Sequence, residues 1–413
     1  MYAIASRLSV MMFLQFFIWG CWFVTLGTFL AANFQASGAQ TGLAFSTQSW
    51  GAIIAPFIIG LIADRYFNAE RILAVLHLIG AVLMYQMYRA QDFAGFYPYV
   101  LAYMIAYMPT LALVNSISFR QLSDPSKQFS FVRVWGTVGW IVAGLVISLV
   151  FDWDDQAAVA QGALRNTFLL GAVMSLLLAI FSFTLPATPP TALGSGGFSL
   201  RAALGLDALK LLADRNFRRF FAASVLICIP LAFYYQNASP FLTEIGTTNS
   251  TGKLSIGQMS EVVFMLLLPV FLLRFGIKKT LLLGMLAWAV RYVCFAYGGQ
   301  DNISALLIVG IALHGICYDF FFVSGQIYTD SKAGEHYRSA AQGMITLATY
   351  GVGMLIGFSV AGAIADRFNA NGQHDWFQIW IYPAAFALVV MVLFALLFRN
   401  ESITYESRRK NPD

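Results

Sequence analysis

Four charged side chains stand inside long apolar runs of this 413-residue chain: Arg133, Glu261, Arg291 and Asp319. If those runs cross a bilayer, each charge costs about 2.5–3.5 kcal/mol at the centre of a helix, so each requires a partner, a water-filled cavity or a function. Glu261 follows Gln258 by about one helical turn and precedes further apolar residues, and no basic residue in an adjacent run matches its depth. A carboxyl group so isolated can take up and release a proton; the alternative is a Glu that hydrogen-bonds only to neighbouring helices. Arg291 and Asp319 lie at depths that differ by roughly 5 Å at a rise of about 1.5 Å per residue. That spacing predicts a structural ion pair between consecutive antiparallel helices, with a proton-linked Asp319 as the second reading.

Other residues suit ligand binding. Arg133, Thr137 and Trp140 recur at i, i+4 and i+7, so a helix places a cation, a hydroxyl and an indole on one stripe, a floor for a polar aromatic ligand. Arg133 also lies near the start of its run and can instead snorkel to the interface, while Gly136 and Gly139 suit close helix packing. His314 and Tyr318 share a face at i, i+4, and Tyr235 and Gln236 belong to a YYQN run at 234–237. These side chains can hydrogen-bond and stack, although a lone membrane His also serves to bridge helices. Gly353 and Gly357 form a small-xxx-small packing pair.

The elements that must position these groups follow from composition. Hydrophobic residues make up 59% of the chain and charged ones 11%, with a mean hydropathy of +0.70, whereas soluble domains carry about 25% charged residues. Apolar runs predict twelve spans near 8–34, 43–63, 72–88, 97–119, 131–151, 167–185, 217–242, 255–273, 279–297, 303–328, 340–364 and 376–398. The first run exceeds the roughly 7–15 residues of a signal-peptide core and is expected to remain as a helix. Cys21, Cys228, Cys294 and Cys317 lie in apolar runs without metal or redox spacing and read as core residues.

With the N-terminus inside, nineteen of the 25 Lys and Arg residues fall in cytoplasmic segments and only Arg89, Arg165, Lys253 and Arg367 fall outside. The positive-inside rule therefore puts both termini in the cytoplasm. It also accounts for the net charge of +5 without nucleic acid. A polar stretch divides the spans six and six: residues 1–186 form an N-terminal bundle, 187–214 a cytoplasmic linker and 215–413 a C-terminal bundle with a short tail. Within the linker, Leu204, Ala208 and Leu211 share a face, which predicts a short amphipathic helix at the membrane surface; a solvated linker is the alternative. This is an all-α membrane protein with the two-bundle arrangement of the major facilitator superfamily. GLIADR at 60–65 matches that superfamily's cytoplasmic signature, with Asp64 and Arg65 at a gate, whereas the similar GAIADR at 362–367 falls on the other side and reads as coincidence.

Several segments resemble the nucleoside:proton symporters of that superfamily: LQF at 14–16, WGCW at 19–22, AYMPTLALVNSIS at 106–118, RVWGTVG at 133–139 and GLDA at 205–208. QMSE at 258–261, RFGIK at 274–278, FAYG at 295–298, YDFF at 318–321 and AQGM at 341–344 continue the likeness in the same order. The resemblance implies a cavity lined by Arg133, Thr137, Trp140, Gln258, Glu261 and Tyr318, a nucleoside and a proton as partners, and a monomer in the inner membrane. Three positions depart from the pattern. Ala232 and Tyr235 stand where relatives offer Gln and Asn, and His314 stands where an aromatic hydroxyl is expected.

A sugar or sugar-like solute is the rival cargo, and a membrane enzyme or a non-transporting sensor the rival class. Against an enzyme, the chain lacks a Ser/His/Asp arrangement, a metal-spaced His cluster and a cofactor motif, so no cofactor is expected. No Walker pattern is present to power an ATP-driven pump, and no sizeable soluble domain to carry a signal.

Overall fold

The computed structural model describes residues 2–58, 67–123, 125–189, 206–300 and 303–401. The first apolar run forms α1 (Tyr2–Phe23) and α2 (Leu26–Phe34), broken at Val24 and Thr25. α3 (Gly38–Ile58), α4 (Ala69–Arg89), α5 (Phe93–Gln121), α6 (Pro125–Leu145), the short α7 (Gln156–Ala160) and α8 (Asn166–Ser182) follow. The second half contains α9 (Arg215–Glu244), α10 (Ser250–Gln300), α11 (Ser304–Ala312), α12 (His314–Tyr318), α13 (Ser324–Thr346), α14 (Met354–Arg367) and α15 (Trp376–Leu397). A small antiparallel hairpin pairs β1 (Asn369–Ala370) with β2 (Gln373–His374) before α15.

Among the described residues, ten helical segments are long and apolar enough to cross a bilayer. One of them, Ser250–Gly299, is two stretches joined at Gly276, whose φ of 73° lies in the left-handed region open to glycine. The outward faces are apolar: Leu273 is 89% exposed, Leu396 77% and Leu266 76%. In water such a belt would be a liability, but in lipid it is the matching solvent. The four cysteines are free and buried.

α1, α3, α4, α5, α6 and α8 pack as one bundle, and α9 to α15 as another. The bundles meet where α3 lies on α14, α2 on α9 and α6 on α10. At the end remote from the chain termini they are tied together. Thr28 and Ser239 share a hydrogen bond of 2.7 Å. The Asp366 carboxylate, at the end of α14, accepts from the first amides of α3, Gly38 at 2.5 Å and Ala39 at 2.8 Å. In the opposite sense, Asp154 from the first bundle accepts from the Thr251 amide at 2.8 Å, and the Ser148 hydroxyl from the Gly252 amide at 2.7 Å. Each carboxylate sits at the positive end of a helix, where unpaired amides attract anions. Glycine permits the approach: a Cβ on Gly42 would stand 2.6 Å from the Phe358 carbonyl oxygen. GAIADR at 362–367 thus has a structural use that its sequence did not suggest, and its counterpart with Asp64 and Arg65 lies outside the described residues.

The linker differs from expectation. Leu206–Ala213 is a 3-10 helix packed against α13 and α9, with Ala208 buried and Leu211 half-buried, and Leu204 lies outside the described residues. Asp214 ends it by capping α9, accepting from the Asn216 and Phe217 amides at 2.8 Å each. The Phe217 amide, aided by Lys332, holds the Asp214 carboxyl below the usual carboxylate range.

Candidate functional site

Between the bundles lies a cavity reached by both. From α6 come Arg133, Thr137 and Trp140, so the i, i+4, i+7 stripe faces inward as its spacing predicts. The Arg133 guanidinium lies over the Phe16 ring, 4.2 Å from its centroid, which places the charge beside the cavity instead of at the interface. Trp140 meets Trp19 edge to face at 5.4 Å. From the other bundle come Tyr235 of α9, Gln258 and Glu261 of α10, and His314 and Tyr318 of α12.

Sequence reasoning passed over Trp19, Phe16, Phe23, Gln48 and Tyr350 as lining residues. Tyr350 shares a 2.7 Å hydroxyl contact with Tyr318, so these two phenols act as one unit. Gln48 belongs to a polar stretch, STQS at 46–49, inside a predicted span, a signal available in the sequence. Its carbonyl oxygen and the Trp19 indole N–H are buried without a hydrogen-bond partner among the described residues.

Gln236 is not at the cavity. It is fully buried, with its amide nitrogen 3.3 Å from the Gly38 carbonyl oxygen; turned over, the amide meets the Phe358 carbonyl oxygen and the Gly362 amide at 3.2 Å each. The reason is the helical step of about 100° per residue, which points Tyr235 inward and Gln236 toward α3 and α14.

The ion pair expected between Arg291 and Asp319 does not form. Arg291 is fully buried with Nη1 3.0 Å from His314 Nδ1 and its guanidinium 3.4 Å from the Tyr234 ring centroid. The Asp319 carboxyl is fully buried with neither oxygen hydrogen-bonded among the described residues. It begins a π-helical turn, Asp319–Val323, directly after α12. Similar depth does not make a contact: helical facing decides it, and His314 occupies the face that Arg291 meets. Glu261 is half-buried, and its Oε2 lies 3.9 Å from His314 Nε2. Among the described residues, no group of three His, Cys, Asp or Glu side chains could hold a metal ion.

Two helical bundles, tied at one end around a cavity of mixed aromatic, cationic and acidic lining, define a secondary transporter of the major facilitator type. Crystal structures of the nucleoside transporter NupG superpose with TM-scores of 0.88, for a point variant, and 0.85; both are 30% identical and cover 96% of this chain and 100% of theirs. YegT of Escherichia coli (strain K12) is 44% identical over 403 residues, 96% of this chain and 94% of its own length. The xanthosine permease of the same organism is 35% identical over 414 residues, covering 96% of each chain. Residues 2–402 match the Nucleoside H+ symporter family, and the chain belongs to it. It is a multi-pass protein of the bacterial inner membrane, a transporter and not an enzyme.

Proposed function

We propose that the cavity is the nucleoside site of a twelve-span carrier whose termini both face the cytoplasm, so that the tied end of the bundles faces outward. Residues 1–186 and 215–413 are the two moving bodies of a monomer, joined by the linker at 187–214. The observation that carries this reading is the meeting, in one cavity, of Arg133, Thr137 and Trp140 from the first bundle with Gln258, Glu261, His314 and Tyr318 from the second. Trp140 supplies a ring on which a base stacks. Arg133, Thr137, Gln258 and Tyr235 supply hydrogen bonds to base and ribose. Glu261 is the group that loads a proton when the cavity opens outward and releases it inward, with Asp319, buried nearby on the tenth span, as its partner in proton handling. Alternating access then links proton flow to nucleoside uptake.

The deciding experiment is uptake of radiolabelled uridine and adenosine into proteoliposomes with and without an imposed proton gradient. A gradient acid outside the vesicles that leaves uptake unchanged, or free sugars that compete as well as nucleosides, would overturn the reading.

A further inference from the structure

Arg291 has no carboxylate partner, yet its contact with His314 has a defined chemical sense. A guanidinium has five N–H donors and no acceptor, and it stays protonated inside proteins. At 3.0 Å from Nη1, His314 Nδ1 must therefore be the acceptor, bearing a lone pair and no proton. A neutral imidazole so engaged carries its hydrogen on Nε2. That nitrogen lines the cavity and stands 3.9 Å from Glu261 Oε2, too far for a direct hydrogen bond. The ring has little freedom to turn. Tyr234 stacks on it at 5.4 Å, and a Cβ on Gly257 would lie 3.1 Å from His314 Cβ, so the helices are in close contact.

We propose that Arg291 is a positioning residue that fixes His314 as an Nε2–H donor, and that this donor, set beside the Glu261 carboxylate, selects nucleosides whose base carries a lactam edge, C=O next to N–H. The inference rests on the cavity being the nucleoside site. With Glu261 ionised, a carbonyl oxygen accepts from His314 while the adjacent ring N–H donates to Glu261, and the gap between the two side chains leaves room for such a pair; the selection therefore belongs to the deprotonated site and is read at a pH where Glu261 is ionised. An amino base presents the reverse pattern at that edge: its exocyclic amine meets the imidazole N–H donor to donor, and its ring nitrogen meets the carboxylate acceptor to acceptor. A phenol at position 314 could donate or accept, and would impose no such choice.

The test compares binding of uridine with cytidine, and of inosine with adenosine, to the purified full-length protein. The expected result is tighter binding of the oxo member of each pair by about tenfold, the scale set by a buried group left unpaired. In His314→Phe the difference should shrink to less than about twofold while binding persists. In Arg291→Met the ring is no longer pinned, so Nδ1 becomes free to protonate. The groups then facing the ring are Glu261, Tyr234 and Tyr318. Binding should acquire a pH-dependent component beyond the one that Glu261 gives the parent, and Arg291→Met with His314→Phe should lose that added component again. A merely structural Arg291 would lower the yield of folded protein without creating that profile. Equal affinity within both pairs, or a His314→Phe protein that keeps the full preference, overturns the proposal and leaves the transport reading intact. Failure of all four nucleosides to bind overturns both.

Discussion

The two walls of the cavity are built from different chemistry. The wall from the first bundle sets a permanent cation, Arg133, among rings and a hydroxyl, with Phe16 beneath the guanidinium and Trp19 against Trp140. The facing wall sets groups whose protons are exchangeable or directional: Glu261, His314 and the Tyr318–Tyr350 pair of phenols. A ligand between them touches a fixed charge on one body and a variable charge on the other. Where both kinds of charge belong to one rigid body, a proton changes affinity alone. Divided between two, it also changes how strongly the bodies are drawn together, and that is the requirement for coupling.

The largest expected effect breaks this contrast at the variable wall. Glu261→Gln holds that position neutral with similar shape, so pH-driven accumulation of nucleoside should fall by at least about tenfold while exchange across the membrane persists. Counterflow and gradient-driven uptake measured on one preparation separate the two. Accumulation at the parent level would move proton coupling to Asp319. The fixed wall should respond otherwise: Trp140→Ala should weaken binding by about 1–3 kcal/mol, the range for losing a stacked base, with abundance and pH dependence kept. Unchanged affinity by titration calorimetry would assign Trp140 to packing alone. The smallest effect lies away from both walls. Asp366→Asn removes the charge from the cap on α3, and the loss of about 0.3–1 kcal/mol should raise thiol labelling at a Thr28→Cys position by about two- to fivefold. Labelling no different from the single cysteine variant would mean that the cap contributes nothing to closure.

The contrast between walls was partly legible in the sequence because a helix is local. Arg133, Thr137 and Trp140 share a face by periodicity alone, and Gln258 and Glu261 by the same step. Periodicity also warned that neighbours such as Tyr235 and Gln236 point different ways, but without a reference face it could not say which one looks inward. Depth placed Arg291 within side-chain reach of Asp319 and was silent about facing, so the pairing with His314 became visible only when α10 and α12 were packed together. Gln48 and Tyr350 were missed for a related reason. Each stands among other polar residues, on α3 or in the π-helical segment Leu347–Gly353, and only the meeting of the two bundles shows which of them faces the cavity. The all-helical fold itself was easier to read, since the length of apolar runs is a property of the chain and requires no contact map.

The reciprocal caps at the tied end have a further consequence. Each bundle lends a carboxylate to the other's helix, Asp366 to the start of α3 and Asp154 to the start of α10. Parting the bundles there strips both acids of their amide donors at once, and every freed group must find hydrogen bonds elsewhere. Only water can supply them in a crevice just opening. The form opened at the tied end is therefore a hydrated state, and its stability depends on the activity of water as well as on proton and cargo.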